Sequence, residues 1–268
     1  MRIDTDLLRD LLVESARAEL IPRFRRSDSR IKADGTLVTQ ADLAMQQRIL
    51  GRLNHHYPEI PLLGEEMPAD QQLAILNDDT QGYWCLDPLD GTANFVAGMP
   101  FFAVSLAYMS NGRVELGLVY DPIRDELFHA RRGSGAWLNQ TPLNLDNRLD
   151  RLQECVAMVD YKRLPPTLAC QLASAPPYRS QRSLGSVALD WCWLAAGRLQ
   201  LYLHGGARLW DYAAGTLIFS EAGGHFSLLD PKTAGNARSE PGLLPQMAVA
   251  GANRRLFETW LSWLQGFS

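Results

Sequence analysis

Trp84-Cys85-Leu86-Asp87-Pro88-Leu89-Asp90-Gly91-Thr92-Ala93-Asn94-Phe95 is the stretch on which the reading of this chain turns. An apolar run delivers two carboxylates, three residues apart, into a turn that contains Pro and Gly. Pro88 fixes the backbone beside Asp87, and Gly91 permits close approach of main chain to a ligand. If Thr92 to Asn94 open a short helix, their free N–H groups form an anion site. Carboxylates then stand beside a phosphate cradle, and a cation must bridge the two because they otherwise repel. Magnesium suits that place, since it takes oxygen ligands and is held by a few carboxylates plus substrate phosphate. No His or Cys follows Asp87 in the stretch, which argues against zinc.

Working outward, Ile60–Leu63 leads into Gly64-Glu65-Glu66, which offers a further carboxylate ligand. Downstream, Trp210-Asp211-Tyr212-Ala213-Ala214-Gly215 puts an acid at the start of an apolar helix. Each piece alone has an ordinary reading. Asp-Pro and Asp-Gly are common turn pairs, two adjacent glutamates suit a solvated loop, and a carboxylate near a helix start is favourable in itself. Their combination describes a metal site beside an anion cradle. Leu89-Asp90-Gly91-Thr92 superficially matches the Asp-x-Asp-Gly-Thr signature of haloacid-dehalogenase phosphatases. That signature needs a nucleophilic Asp two residues before the second one, where Pro88 stands here. A covalent aspartyl-phosphate route thereby loses its nucleophile.

Composition sets the outer bounds. The chain has 268 residues, 46% hydrophobic and 21% charged, which is an ordinary globular balance and excludes a disordered or collagen-like chain. A net charge of −4 gives no global basic excess to attract nucleic acid. No apolar run reaches the length of a membrane span, and Met1-Arg2-Ile3-Asp4 lacks a signal-peptide pattern. Cys85, Cys155, Cys170 and Cys192 are widely spaced and read as reduced thiols of a cytoplasmic protein.

Helical periodicity covers residues 4–26, with Pro22 as a late break, and a second helix runs from Thr39 to Tyr57 with Leu43, Leu50 and Leu53 inward. Arg25–Gly35 reads as a loop. Short apolar runs then indicate a mostly antiparallel sheet, with Phe101–Met109 and Val114–Tyr120 joined by an Asn111-Gly112 hairpin turn. Beyond residue 147, strands at Cys155–Val159, Leu199–Leu203, His225–Leu229 and Met247–Ala250 alternate with helices at Ser186–Ala196, Leu209–Ala222 and Arg254–Leu264. The expectation is one domain in two halves, 1–147 and 148–268, without a linker.

These residues resemble the inositol monophosphatase family of magnesium-dependent, lithium-sensitive phosphatases over nearly the whole chain. The matching pieces are Lys32-Ala33-Asp34-Gly35-Thr36-Leu37-Val38-Thr39-Gln40-Ala41-Asp42, Gly64-Glu65-Glu66, Asp87-Pro88-Leu89-Asp90-Gly91-Thr92, Gly185-Ser186 and Trp210-Asp211-Tyr212-Ala213-Ala214-Gly215. The resemblance implies a layered α/β/α/β/α sandwich, often a homodimer. It implies that Glu65, Asp87 and the Leu89 carbonyl hold one magnesium ion, that Asp87, Asp90 and Asp211 hold a second, and that Glu65 helps a weaker third. Gly91, Thr92 and the Ala93 N–H would bind phosphate. Thr92 and Asp42 would position and deprotonate the attacking water, with Glu65 and Glu66 assisting, and Lys32 would belong to a loop near the metals. Gly185 and Ser186 fall on the substrate side.

One position departs from the family pattern. Inositol-specific members carry an acidic residue seven positions before the Trp-Asp aspartate, and here that place is His204. An imidazole replaces a carboxylate that accepts hydroxyl hydrogen bonds. With Arg208 nearby, and Lys162 and Arg163 in another rim loop, a second phosphate or a carboxylate becomes a candidate for recognition. The expected function is hydrolysis of a small phosphorylated polyol such as inositol 1-phosphate. Bisphosphates (3′-phosphoadenosine 5′-phosphate, fructose 1,6-bisphosphate) and histidinol phosphate stay open as substrates, as does a binding or regulatory role that retains the site.

Overall fold

A computed structural model describes residues 3–26, 29–31, 37–78, 81–145, 148–231 and 242–266. The chain opens with helix α1 (Thr5–Glu19), capped by the Asp4 carboxylate, and the break expected at Pro22 falls within a short 3-10 turn at Ile21–Arg23. Strands β1 (Ser29–Ile31) and β2 (Leu37–Thr39) then pair antiparallel, where a plain loop was expected for part of the segment. Helix α2 (Gln40–His56) follows, and it buries Ala41, Asp42, Met45, Ile49 and Leu53. Leu43 and Leu50 point outward instead. The stripe at i, i+4, i+8 and i+12 from Ala41 wins over the leucines because it is continuous at helical spacing and carries Asp42 inward with it.

A seven-stranded sheet comes next, in the order β3 (Leu62–Gly64), β4 (Tyr83–Asp90), β5 (Ala103–Ser110), β6 (Arg113–Asp121), β7 (Glu126–Arg131), β8 (Ala136–Leu138) and β9 (Thr141–Leu143). Only the β3–β4 pair is parallel. Asn111 and Gly112, at φ of 52° and 67°, make the expected two-residue hairpin turn between β5 and β6. Helix α3 (Ala69–Asn77), between β3 and β4, carries no strong apolar stripe and escaped the sequence reading. Helix α4 (Thr92–Ala97) follows β4 directly.

The second sheet has five strands, β10 (Val156–Asp160), β11 (Ser180–Arg182), β12 (Leu201–Ala207), β13 (His225–Leu229) and β14 (Gln246–Gly251), in the order β11-β10-β12-β14-β13. Helices α5 (Pro166–Ser174), α6 (Val187–Ala195), α7 (Leu209–Glu221) and α8 (Arg254–Gln265) connect and cover them. Three apolar clusters define the layers. Leu8, Met45 and Ile49 pack with Trp84 and Leu118, which puts α1 and α2 outside the first sheet. Cys85, Ala107, Trp191, Leu217, Tyr202 and Ala248 meet in the middle, so α6 and α7 lie between the sheets. Val159, Leu203 and Val249 pack with Leu256 and Trp260, which puts α8 outside the second sheet. The result is the α/β/α/β/α sandwich that the resemblance implies.

Strand alternation decides what reaches the middle layer. Trp84 and Leu86 face α2, whereas Cys85 and then Asp87 face α7. Helix α7 fits there because it is apolar nearly all round and small where it is crowded. A Cβ built on Gly215 would stand 2.5 Å from Cβ of Trp191, a fully buried side chain of α6. Ala ordinarily gains about 1 kcal/mol over Gly inside a helix. Here that gain is outweighed by a clash with a close-packed neighbour, which costs about 1–3 kcal/mol. Gly215→Ala is therefore expected to lower the urea midpoint, and a raised midpoint would contradict this packing.

Candidate active site

The site begins with an irregularity in β4. Asp87 pairs with Ser105 and Asp90 with Ala103, so three steps along β4 match two along β5. In a regular strand, residues three apart point to opposite faces. The extra residue of this bulge restores them to one face, and both carboxylates enter the middle layer. Asp90 reaches the start of α6, where the Ser186 hydroxyl and the Ala188 N–H donate to its Oδ2. Asp87 Oδ1 accepts from the Leu89 N–H at 3.0 Å. Asp211 comes from the first turn of α7, where its Oδ2 accepts the Arg208 N–H at 2.8 Å. Ser105 secures that turn by donating its hydroxyl to the Trp210 carbonyl at 3.1 Å.

Ligand oxygens of Asp87, Asp90 and Asp211 all lie within 4.8 Å of one another. Burial and mutual repulsion push all three carboxyls up, Asp90 to about 6 and the other two well above the usual carboxylate range. Glu65, just beyond the end of β3, adds its charge to each of them. Three buried carboxylates so placed are stable in ionised form only beside a cation. An all-oxygen donor set fits a hard divalent ion such as magnesium, and the buried cluster therefore fits the metal that the sequence called for.

A pH dependence follows. Raised carboxyl pKa values mean that the folded state holds protons that the unfolded chain has released above about pH 4. Stability of the metal-free protein accordingly falls as pH rises from that point through the raised values. A bound cation offsets this, so magnesium is expected to raise Tm by more at about pH 7.5 than at about pH 5. Equal shifts at the two pH values would contradict the account.

The anion side of the site is built by the turn after β4. Gly91 has φ of 94°, and a Cβ there would press on the Phe101 carbonyl at 3.1 Å and the Gly185 carbonyl at 3.3 Å. Both the backbone angle and the space thus require glycine. The first-turn N–H groups of α4, at Thr92 and Ala93, have no partner within their own helix. The Thr92 Oγ1 lies 3.1 Å from Asp42 Oδ1 and 3.0 Å from the Leu89 carbonyl oxygen. Asp42 belongs to a capping box at the start of α2. Its Oδ2 accepts from the Thr39 N–H at 2.7 Å and from the Thr39 hydroxyl at 2.6 Å. Burial raises the Asp42 pKa despite these bonds.

Most of the predicted residues therefore converge. Asp42, Asp87, Leu89, Asp90, Gly91, Thr92, Ala93 and Asp211 share one site, with Glu65 adjacent and Glu66 beside it in the chain. Lys32 lies outside the described residues. Two substrate-side expectations, Ser186 and His204, are corrected. Ser186 is fully buried and spends its hydroxyl on Asp90, so it positions a carboxylate of the acidic cluster rather than facing substrate. Gly185 beside it is exposed, with its backbone at φ of 82° next to the Asn94 side chain.

His204 is 2% exposed and has both ring nitrogens engaged. Its Nδ1 accepts the Gly206 N–H at 3.2 Å, which leaves the proton on Nε2, 3.1 Å from Asp160 Oδ2. An imidazole so held has no group left for a substrate hydroxyl. Arg208 directs its guanidinium to the Leu243 carbonyl at 3.3 Å.

Sequence reasoning missed Thr39, Asn94 and Ser105. Asn94 donates to the carbonyls of Phe101 and Leu184, both at 2.7 Å, and so docks the loop before α6 onto the Gly91 turn. The Thr39-x-x-Asp42 spacing is a readable capping-box signal.

Comparison with known proteins agrees with this geometry. The profile described as "Inositol monophosphatase family" matches residues 9–265. The chain is 39% identical over 207 residues to the Nus factor SuhB of Pasteurella multocida, covering 75% of each chain. It is 33% identical over 228 residues to inositol monophosphatase 1 of Bos taurus, covering 83% of this chain and 79% of that one. The structure of Staphylococcus aureus IMPase-II with inositol monophosphate bound superposes with a TM-score of 0.78 at 26% identity, covering 97% of this chain and 93% of that one. The chain belongs to the inositol monophosphatase family.

Proposed function

We propose that this protein is a magnesium-dependent phosphomonoesterase that hydrolyses a small phosphorylated polyol, with inositol 1-phosphate as the first substrate to test. The observation that carries the reading is the meeting, at one point, of the Asp87–Asp90–Asp211 cluster and the Thr92–Asp42 pair. Asp87, Asp90 and Asp211, with Glu65 and the Leu89 carbonyl, would hold two magnesium ions, and Glu65 would help a weaker third. Magnesium bound there supplies charge that polarises a phosphate ester and lowers the pKa of a bound water. The Ala93 N–H and the Gly91–Thr92 turn hold phosphoryl oxygens at the start of α4. The Thr92 hydroxyl, oriented by Asp42, holds the attacking water. Asp42 takes the proton, and its raised pKa makes it a better acceptor than an exposed carboxylate. A cytoplasmic homodimer is part of the same reading, on the resemblance alone.

A second reading concerns the substrate. Arg163 donates to the Gly206 carbonyl at 2.7 Å, on the strand end that leads into Asp211, and its charge offsets a small part of the burial and repulsion that raise the Asp211 carboxyl pKa. Its remaining N–H groups and those of Arg208 favour a substrate with a second anionic group, such as a bisphosphate.

The test is phosphate release with magnesium from inositol 1-phosphate, glycerol 2-phosphate, histidinol phosphate, fructose 1,6-bisphosphate and 3′-phosphoadenosine 5′-phosphate, each repeated with EDTA. EDTA-sensitive release from a monoester supports the first reading, and dominance by a bisphosphate supports the second. The relatives named Nus factors favour a binding role. Folded, magnesium-loaded protein that hydrolyses none of the panel would turn the reading that way.

A further inference from the structure

Asp160 is a carboxylate of the middle layer that neither the metals nor the attacking water use. It ends β10, which runs parallel to β12 and sets Asp160 directly opposite His204. Alternation fixes the direction of both side chains. Ala157 and Val159 of β10 pack with Leu201 and Leu203 of β12 toward α8, whereas Met158 and Tyr202 enter the middle layer. Asp160 and His204 stand two residues further on and take the same side, and the His204 ring stacks on Tyr202 there. Asp87, Asp90 and Asp211 reach that layer from the facing sheet and from α7. The Tyr202 phenol registers how close the two groups are. Burial raises its pKa, and so do the charges of Asp190, Asp90, Asp160 and Asp211, all of which reach it.

The Asp160 carboxylate is oriented without being used up. Its Oδ1 accepts the Lys162 N–H at 2.8 Å, and its Oδ2 lies 3.1 Å from His204 Nε2. Among the described residues these are its two donors, and a carboxylate has about four acceptor positions. Its side chain is 27% exposed, whereas that of His204 behind it is only 3% exposed. It sits at the carboxyl ends of the parallel strands β10 and β12, the edge at which such sheets receive ligands. From that end of β12 the chain passes directly to α7 and Asp211. The carboxylate that position 204 lacks is thus supplied one strand away. An anion held in this way accepts from a hydroxyl and repels a second phosphate.

We propose that Asp160 is a specificity-determining residue, accepting a hydrogen bond from a hydroxyl on the alcohol portion of the substrate. The inference rests on the phosphomonoesterase reading and selects its polyol form over a bisphosphate.

The experiment compares phosphate release from inositol 1-phosphate and from cyclohexyl phosphate, which has the same ring without the further hydroxyls. Full-length, magnesium-loaded wild type and Asp160→Asn are each assayed on both esters. Wild type is expected to favour inositol 1-phosphate in kcat/KM. Asp160→Asn keeps the shape and loses the charge, and it is expected to lower that preference about tenfold, chiefly through KM for inositol 1-phosphate. A residue that merely held β10 against β12 would cost both esters equally. An unchanged preference in the variant therefore overturns the proposal and leaves the phosphatase reading standing. Wild type that hydrolyses both esters without favouring inositol 1-phosphate does the same. Release from neither ester by wild type overturns the polyol phosphatase reading, and the proposal with it.

Discussion

Asp87→Asn is expected to abolish turnover, by a factor on the order of a thousand, while leaving the fold intact. Asp87 stands at the start of the β4 bulge and is the carboxylate that both magnesium ions would share. Its loss removes charge from two ions at once, and a thousandfold in rate corresponds to about 4 kcal/mol of transition-state stabilisation. The change is not expected to unfold the protein. Asp87 is 2% exposed and its pKa is raised by burial and by neighbouring carboxylates, so at neutral pH the ionised side chain works against the metal-free fold. A neutral amide of the same shape removes that repulsion. The variant's Tm without metal is therefore expected to match or exceed that of wild type, and its Tm shift on adding magnesium is expected to vanish. Turnover above a tenth of the wild-type value, or an undiminished magnesium shift, would contradict the assignment.

Thr92→Ala is the second large effect. The Thr92 hydroxyl connects the Asp42 carboxylate, from the start of α2, with the Leu89 carbonyl, from the end of β4. Removing it leaves the attacking water without its oriented partner, and general-base assistance of this kind is worth about a hundredfold to ten-thousandfold. The expected result is a fall in kcat of that order, with KM and the magnesium shift in Tm little changed. Thr92→Ser keeps the hydroxyl and is expected to restore most of the rate. A Ser variant as slow as the Ala variant would show that the methyl packing matters and the hydroxyl does not.

The acidic turn was legible in the sequence because its chemistry is local. Asp87, Asp90 and Gly91 sit within five residues, and Asp211 announces itself at a helix start. The geometry that makes the turn work was not legible. Alternation alone places Asp87 and Asp90 on opposite faces, and only the bulge against Ser105 and Ala103 reunites them. His204 shows the opposite failure. Its distance in sequence from Asp211 matched a substrate-contacting position, yet it shares a face of β12 with Tyr202, against which its ring stacks inside the molecule. Spacing along a chain does not report that both nitrogens of the ring are already engaged, by the Gly206 N–H and by Asp160. The leucines of α2 misled for a related reason, since two apolar stripes fit the helix and burial followed the one that carries Asp42 inward. The segments missed altogether, α3, α5, β1 and β11, are short and have weak patterns, so tertiary packing rather than local preference specifies them.

The central claim is that a buried carboxylate cluster binds magnesium in order to hydrolyse a phosphate monoester. The most direct measurement is phosphate release from inositol 1-phosphate by wild type and Asp87→Asn, each with magnesium and with EDTA. The account predicts release by wild type with magnesium and essentially none in the other three conditions. Release that persists in EDTA, or that Asp87→Asn sustains above a tenth of the wild-type rate, would contradict it.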